Sequence, residues 1–263
     1  MLSYVSIERS GRIAVVRFDR GDGRNALSRA LIRELTAAAR SFEEDGEVSA
    51  VILTGSAQAF SVGYDLKDPS VAEASRAGLM QKRLLQQSGP RLCRAFEEID
   101  AVTICAIEGW CIGGGVALAV ACDFRVAARD ATFYVPEIER GMNMSWQSLP
   151  RMVALMGPAR TKQLAILAEK VPAEQALAWG LIEETTEPGG ALSRAMAMAE
   201  RIAALPPVPV RMIKRGVSIA AGALGHATSY MDADQFVLAQ TGEDFAEGVN
   251  SFLERRKPRF TGR

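Results

Sequence analysis

Three consecutive glycines, Gly113 to Gly115, stand inside GWCIGGGVALAVACDFRVAARDATFYVPE, which runs from Gly109 to Glu137. A buried-strand pattern, TICAIEG (103–109), leads into them, and an apolar helical pattern follows them. FRVAA (124–128) and TFYV (132–135) then return as strands. Strand, glycine turn, helix and strand in succession point to an α/β fold, because strand and helix must alternate to cover one another's apolar faces. The stretch closes on a single carboxylate, Glu137.

The remaining chain keeps that alternation. YVSIER and RIAVVRF flank Ser10-Gly11, a hairpin signal. Ser28 caps a helix in which Leu31, Leu35, Ala38, Ala39 and Phe42 share one face. AVILTG (50–55) predicts a short buried strand, and residues 71–99 predict helix interrupted at Gly89-Pro90. From Gly157 onward the pattern is helical, with Pro158, Pro172 and PPVP (206–209) as punctuation and LIEET (181–185) as a late strand. The chain therefore divides into a core domain over 1–205 and a C-terminal helical region over 206–263.

Composition narrows the partners. Lys plus Arg equals Asp plus Glu at 31 each, so net charge gives no reason to expect nucleic acid or an anionic membrane. The longest nearly apolar run, Trp110 to Cys122, is shorter than the roughly 18 residues of a spanning helix. The start, MLSYVSIERSGRIAVVRFD, alternates in a way a signal peptide does not. Cys93, Cys105, Cys111 and Cys122 form no CxxC pair, and His226 is the one histidine, so no metal site is expected. Three of these thiols sit in apolar runs and suit a reducing, cytoplasmic compartment.

Glycines at a helix start expose backbone N–H groups in a region of positive potential. The triplet is not GxGxxG, because Leu118 stands where the last glycine belongs, and it is not GxxxxGK[ST]. Dinucleotide and triphosphate binding are thus not its natural reading. Close helix–strand packing would also suit three glycines. A second loop, AFSVGYDLK (59–67), has Gly63 at its centre and likewise comes after a buried strand. Two amide donors from two such loops can hold one oxyanion, and losing one donor typically costs about 2.7–4 kcal/mol.

Together AFSVGYDLK, EGWCIGGGVALAVACDFRVAA, ATFYVPE, PAEQALAWGLIEE and EGVNSFLERRKPRF resemble the crotonase (enoyl-CoA hydratase/isomerase) superfamily, in the family's order over nearly the whole chain. The resemblance implies a spiral of ββα units, a C-terminal helical region used in trimerisation, and an acyl-CoA thioester substrate. No separate cofactor is implied, since coenzyme A is part of the substrate. By motif position the oxyanion hole uses the backbone N–H groups of Tyr64 and Gly114, and Glu137 is the acid–base group. Asp22, Arg24 and Asn25, and Val62, Asp65, Leu66 and Lys67, match the family's CoA-contacting stretches. Arg24 or Lys67 would meet phosphates, though either also reads as a solvated surface charge. The resemblance implies a homotrimer or a dimer of trimers, and the C-terminal Arg255, Arg256, Lys257 and Phe260 are further candidates for CoA contact.

The chain departs from the family's hydratases at two places. They use two glutamates; here the position shortly after the glycines is Ala117, and only the glutamate of the PE pair is kept, as Glu137. An alanine methyl can neither hold water nor move a proton. One base suffices to carry a proton from C2 to C4 of a 3-enoyl thioester, as in Δ3-Δ2-enoyl-CoA isomerases, so isomerisation is favoured over hydration. Hydration, thioester hydrolysis, decarboxylation, C–C lysis and non-catalytic acyl-CoA binding remain as alternatives. For that task the Glu137 pKa should be raised by apolar surroundings. The second departure is GMNMSWQSLPR (141–151), where Met142, Met144, Trp146 and Gln147 either reshape the acyl pocket or fill core. Glu139 is expected to share a face with Glu137 or pair with Arg140, Glu108 to face solvent, and His226 to be structural.

Overall fold

The structure is a computed structural model describing residues 4–263, apart from the side chains of residues 72, 74, 75 and 226. The structural role expected of the His226 side chain lies outside the described residues. The chain opens with a hairpin, β1 (Val5–Ser10) and β2 (Ile13–Phe18), turning at Gly11-Arg12. Ser28 then caps α1 (Arg29–Arg40): its side chain accepts the Leu31 N–H at 3.2 Å. Leu31, Ile32, Leu35, Ala38 and Ala39 form the buried face, the 3.6-residue period read from the sequence.

Beyond α1 one unit, two strands and then helix, occurs three times. β3 (Ala50–Thr54) and β4 (Ala59–Ser61) lead to α2 (Pro69–Arg76), α3 (Leu79–Gln86) and α4 (Ser88–Glu97). β5 (Val102–Ile107) and β6 (Trp110–Ile112) lead to α5 (Gly114–Ala119). β7 (Phe124–Ala128) and β8 (Thr132–Tyr134) lead, through a 3-10 turn at Glu137–Arg140, to α6 (Ser148–Ile166). In each unit the first strand joins one sheet and the second joins another, so the chain advances as a spiral of ββα units. The larger sheet has the order β1-β2-β3-β5-β7-β10, parallel except at β1–β2. The smaller has the order β4-β6-β8-β9, parallel except at β8–β9. Its last strand is β9 (Val171–Pro172), succeeded by α7 (Ala173–Trp179), β10 (Glu184–Thr186) and α8 (Ala191–Ala203).

The central parallel strands β3, β5 and β7 are buried on both faces, as parallel strands are, whereas the edge strand β1 is largely exposed. Along β5, Val102, Ile104 and Ala106 meet Ala191, Ala195 and Ala199 of α8, while Cys105 and Ile107 join the main core around Phe18, Phe60 and Phe96. The small alanines at four-residue spacing let α8 lie flat on the sheet. The last helices are α9 (Pro207–Gly222), α10 (Gly225–Ser229), α11 (Asp232–Ala239) and α12 (Glu243–Glu254). They do not stand apart from the spiral: α9 touches β5, α11 packs on α3, and α12 packs on the 3-10 turn. Among the described residues no helix is long and apolar enough to cross a membrane.

Several sequence expectations shift in detail. Gly89-Pro90 does not interrupt a helix; it lies in the first turn of α4, where a proline's missing N–H is harmless. Gly157 does break the run before Pro158, with φ 77 and ψ 168 inside α6. Glu108 is not turned to solvent: its carboxylate accepts the Gly189 and Ala191 N–H groups at 3.0 and 2.9 Å and so caps α8.

Candidate active site

The two glycine loops meet. Gly63 has φ +85, and a Cβ there would stand 2.8 Å from the Ile112 oxygen and 3.3 Å from the Gly114 nitrogen. A side chain is excluded by both the left-handed backbone and the space. The segment through Tyr64 pairs with Leu27 as a parallel bridge: the Leu27 N–H donates to the Gly63 oxygen (2.8 Å) and the Asp65 N–H to the Leu27 oxygen (3.2 Å). In such a bridge residue 27 bonds to both neighbours of residue 64, so the Tyr64 N–H points the other way. Neither the Tyr64 nor the Gly114 N–H has a hydrogen-bond partner among the described residues. At Gly114 this reflects its place as the first residue of α5, where the leading N–H groups have no intrahelical acceptor.

Each glycine of the triplet answers a different neighbour. Gly113, at φ +51, lies against the Glu137 carboxylate, and a Cβ there would overlap Oε1. Gly114 lies against the indole of Trp146, whose Cη2 and Cζ3 would be 2.9 and 3.0 Å from an added Cβ. Gly115 lies against Ser61, 2.9 Å from its oxygen by the same measure. Close packing and an open amide are thus both present in one turn.

Glu137 comes directly after Pro136 and opens the 3-10 turn rather than ending a strand. Its Oε2 is shielded from solvent and has no hydrogen-bond partner among the described residues. Burial pushes its pKa up to about 7; a bond from its own N–H and the charge of Arg140 oppose that shift. The turn is braced from behind by α12. Gly248 packs directly on the Arg140 backbone and Gly141 on that of Asp244. The Arg140 guanidinium lies 4.2 Å over the Phe252 ring and donates to the Pro136 oxygen at 2.9 Å. The expected Glu139–Arg140 ion pair does not form. Glu139 instead accepts the Tyr134 hydroxyl. In a 3-10 turn residues two apart do not share a face, so Glu139 is not a partner for Glu137 either. Ala117 is fully buried in the main core.

The two stretches matched to CoA contact lie side by side. The Val62 N–H donates to the Arg24 oxygen (3.0 Å), and the Ser61 hydroxyl to the Asn25 oxygen (2.8 Å). Asp22 holds the turn by accepting the Arg24 and Asn25 N–H groups, both at 2.9 Å. Asn25, at φ 51, is buried, and its side chain is spent inside: Nδ2 donates to the Phe18 oxygen and Oδ1 accepts the Arg20 N–H, both at 2.9 Å. Asp65 binds Arg20 at 2.7 Å. Val62 and Leu66 are half-buried, whereas Arg24 and Lys67 are exposed. At the chain's end, Arg256 is taken up by Glu247 and Glu254, and the Thr261 and Gly262 N–H groups by Asp244.

Sequence reasoning missed the clamp behind Trp146. Trp146 and Gln147 both have left-handed backbones, φ 62 and 56. Asp232 accepts the Gln147 N–H, and Arg151 donates to the oxygens of both residues at 3.0 and 2.9 Å. Arg151 is held in turn by Glu97 at 2.7 Å. No local pattern announces a contact between residues 85 positions apart.

Comparison with known proteins agrees with this architecture. The family model described as enoyl-CoA hydratase/isomerase matches residues 8–263. The short-chain-enoyl-CoA hydratase of Clostridium acetobutylicum is 29% identical over 260 residues, covering 97% of each chain. The crotonyl-CoA hydratase of Syntrophomonas wolfei is 30% identical over 257 residues, again covering 97% of each. The crystal structure of carnitinyl-CoA hydratase from Mycobacterium avium superposes with a TM-score of 0.87 at 30% identity over the full length of both chains. On sequence and fold together, the chain belongs to the enoyl-CoA hydratase/isomerase family of the crotonase superfamily.

Proposed function

We propose that the protein acts on enoyl-CoA thioesters, with the Tyr64 and Gly114 amides as an oxyanion hole and Glu137 as the single acid–base group. One observation carries this reading: a buried carboxylate whose Oε2 has no hydrogen-bond partner among the described residues lies on Gly113, next to the open amide of Gly114, which faces the Gly63–Tyr64 loop. As negative charge develops on the thioester oxygen, two fixed N–H groups stabilise it without reorganisation. A carboxyl group with a pKa near 7 can both take and return a proton at neutral pH. The paired stretches 22–25 and 62–67 would receive the CoA moiety. Arg24 and Lys67 are exposed and suited to phosphates, while Asn25 would contribute through its backbone alone.

Hydration of a 2-enoyl thioester is the first reading. The Clostridium and Syntrophomonas relatives are hydratases, and they lend no support to the isomerase preference drawn from Ala117. One carboxylate can complete the cycle. Glu137 takes a proton from water as its oxygen bonds to C3. The electron pair of the double bond passes to the thioester oxygen. Glu137 then returns the proton to C2. Isomerisation is the second reading, favoured by Ala117: Glu137 would remove a proton from C2 of a 3-enoyl thioester and return it to C4.

Monitoring loss of enoyl absorbance from 2-enoyl-CoA, and its gain from 3-enoyl-CoA, separates the two. Glu137→Gln is expected to lower kcat/KM for the active substrate by about 10²–10⁴-fold. Turnover of neither thioester by the native protein would overturn the enzymatic reading. A homotrimer or dimer of trimers is part of the same proposal. It is supported by α9, where Val208, Met212, Ile213, Val217 and Ile219 are each at least 63% exposed. Four buried free thiols support a cytoplasmic setting.

A further inference from the structure

We infer that the Trp146 indole is the end wall of the acyl-chain pocket and restricts the site to short-chain acyl-CoA thioesters; the inference rests on the proposed action on enoyl-CoA thioesters. The thioester oxygen must lie about 3 Å from the Gly114 N–H to be held there. The far edge of the indole touches that same glycine, with Cη2 and Cζ3 at 2.9 and 3.0 Å from an added Cβ. The opposite side of the ring seats in a notch on α4, where Gly89 leaves the room that any larger residue would take from Cε2, Nε1 and Cδ2. The ring therefore spans the space from α4 to the start of α5. An acyl chain whose first carbons lie beside Gly114 and Glu137 meets the indole if it continues between those helices.

The wall is also held in place. Two consecutive non-glycine residues in the left-handed region are strained and persist only where their surroundings enforce them. Here the enforcement is explicit: Asp232 on the Gln147 N–H, and Arg151 on the Trp146 and Gln147 oxygens. Because Arg151 and Asp232 come from α6 and α11, the ring is fixed from two helices and does not rely on its own loop.

Binding of free CoA, butyryl-CoA and octanoyl-CoA to the full chain, measured by calorimetry, tests this. The wild type is expected to bind butyryl-CoA at least about 10-fold more tightly than octanoyl-CoA, the discrimination that a wall imposes on a few methylenes. Trp146→Ala should level or invert that ratio, and Trp146→Phe, which keeps a ring and guards against a folding failure of the alanine variant, should fall between. Equal affinity of the wild type for both acyl chains, or a ratio unchanged in both variants, would overturn the inference while leaving the acyl-CoA reading intact. Acyl-CoAs that bind no better than free CoA to the wild type would overturn that reading, and this inference with it.

Discussion

At the scale of single residues, the proposed chemistry turns on Glu137 and its seat on Gly113. A carboxylate that leaves water for a site without a hydrogen-bond donor to its Oε2 holds its proton to about pH 7. Activity that needs the ionised form is therefore expected to rise with pH through about 7, and a pH profile of kcat/KM reads this directly. The same shift is a statement about stability. The folded state binds the proton more tightly than the unfolded chain, so this contribution is fully present below about pH 4.5 and is lost as pH rises through about 7. Its size, at about 1.4 kcal/mol per pH unit between the two values, is on the order of 3 kcal/mol. Glu137→Gln, which cannot ionise, should then be more stable than the wild type at pH 8 and differ little at pH 4.5. Urea denaturation at both pH values checks it, and equal differences at the two would count against the buried carboxylate.

Among the elements, the 3-10 turn and α12 depend on one another. Gly248 has no room for a side chain against the Arg140 backbone. Gly248→Ala is expected to destabilise by about 1–3 kcal/mol through overpacking and, by shifting the turn, to lower kcat more than it raises KM. Steady-state kinetics beside a melting curve separate those effects. The long elements were legible in the sequence because each carries its own period: the apolar face of α1 and the continuous burial of β3 and β5 need no partner to be recognised. Most of the smaller sheet was not. TFYV was read as a strand and is β8, but β4 and β6 have three residues each, too few for a period, and AFSVGYDLK reads as a loop until β6 lies beside it. At the site, the two glycine loops were read from the residues, and Tyr64, Gly114 and Glu137 were assigned from the family resemblance. The clamp of Asp232 and Arg151 on residues 146 and 147 is tertiary and left no local trace.

For the molecule as a whole, α9 is the candidate contact surface: Val208, Met212, Ile213, Val217 and Ile219 leave apolar side chains in water along one helix. The double variant Met212→Glu, Ile213→Glu is expected to move the protein from an oligomer to a monomer by light scattering. A native protein that is already monomeric would remove α9 as the contact. Lys214 of the same helix is anchored inward, to Asp123 at 2.7 Å and to the Ala101 oxygen at 2.8 Å, so such substitutions should leave the spiral folded. The packing of α12 behind Glu137 has a further consequence for the order of events in synthesis. A ribosome that has released residues 1–200 has already supplied both amides and the acid, yet the brace formed by Gly248 and Phe252 is still untranslated. On the proposed function, nascent chains should therefore be silent toward thioesters until their last helix emerges.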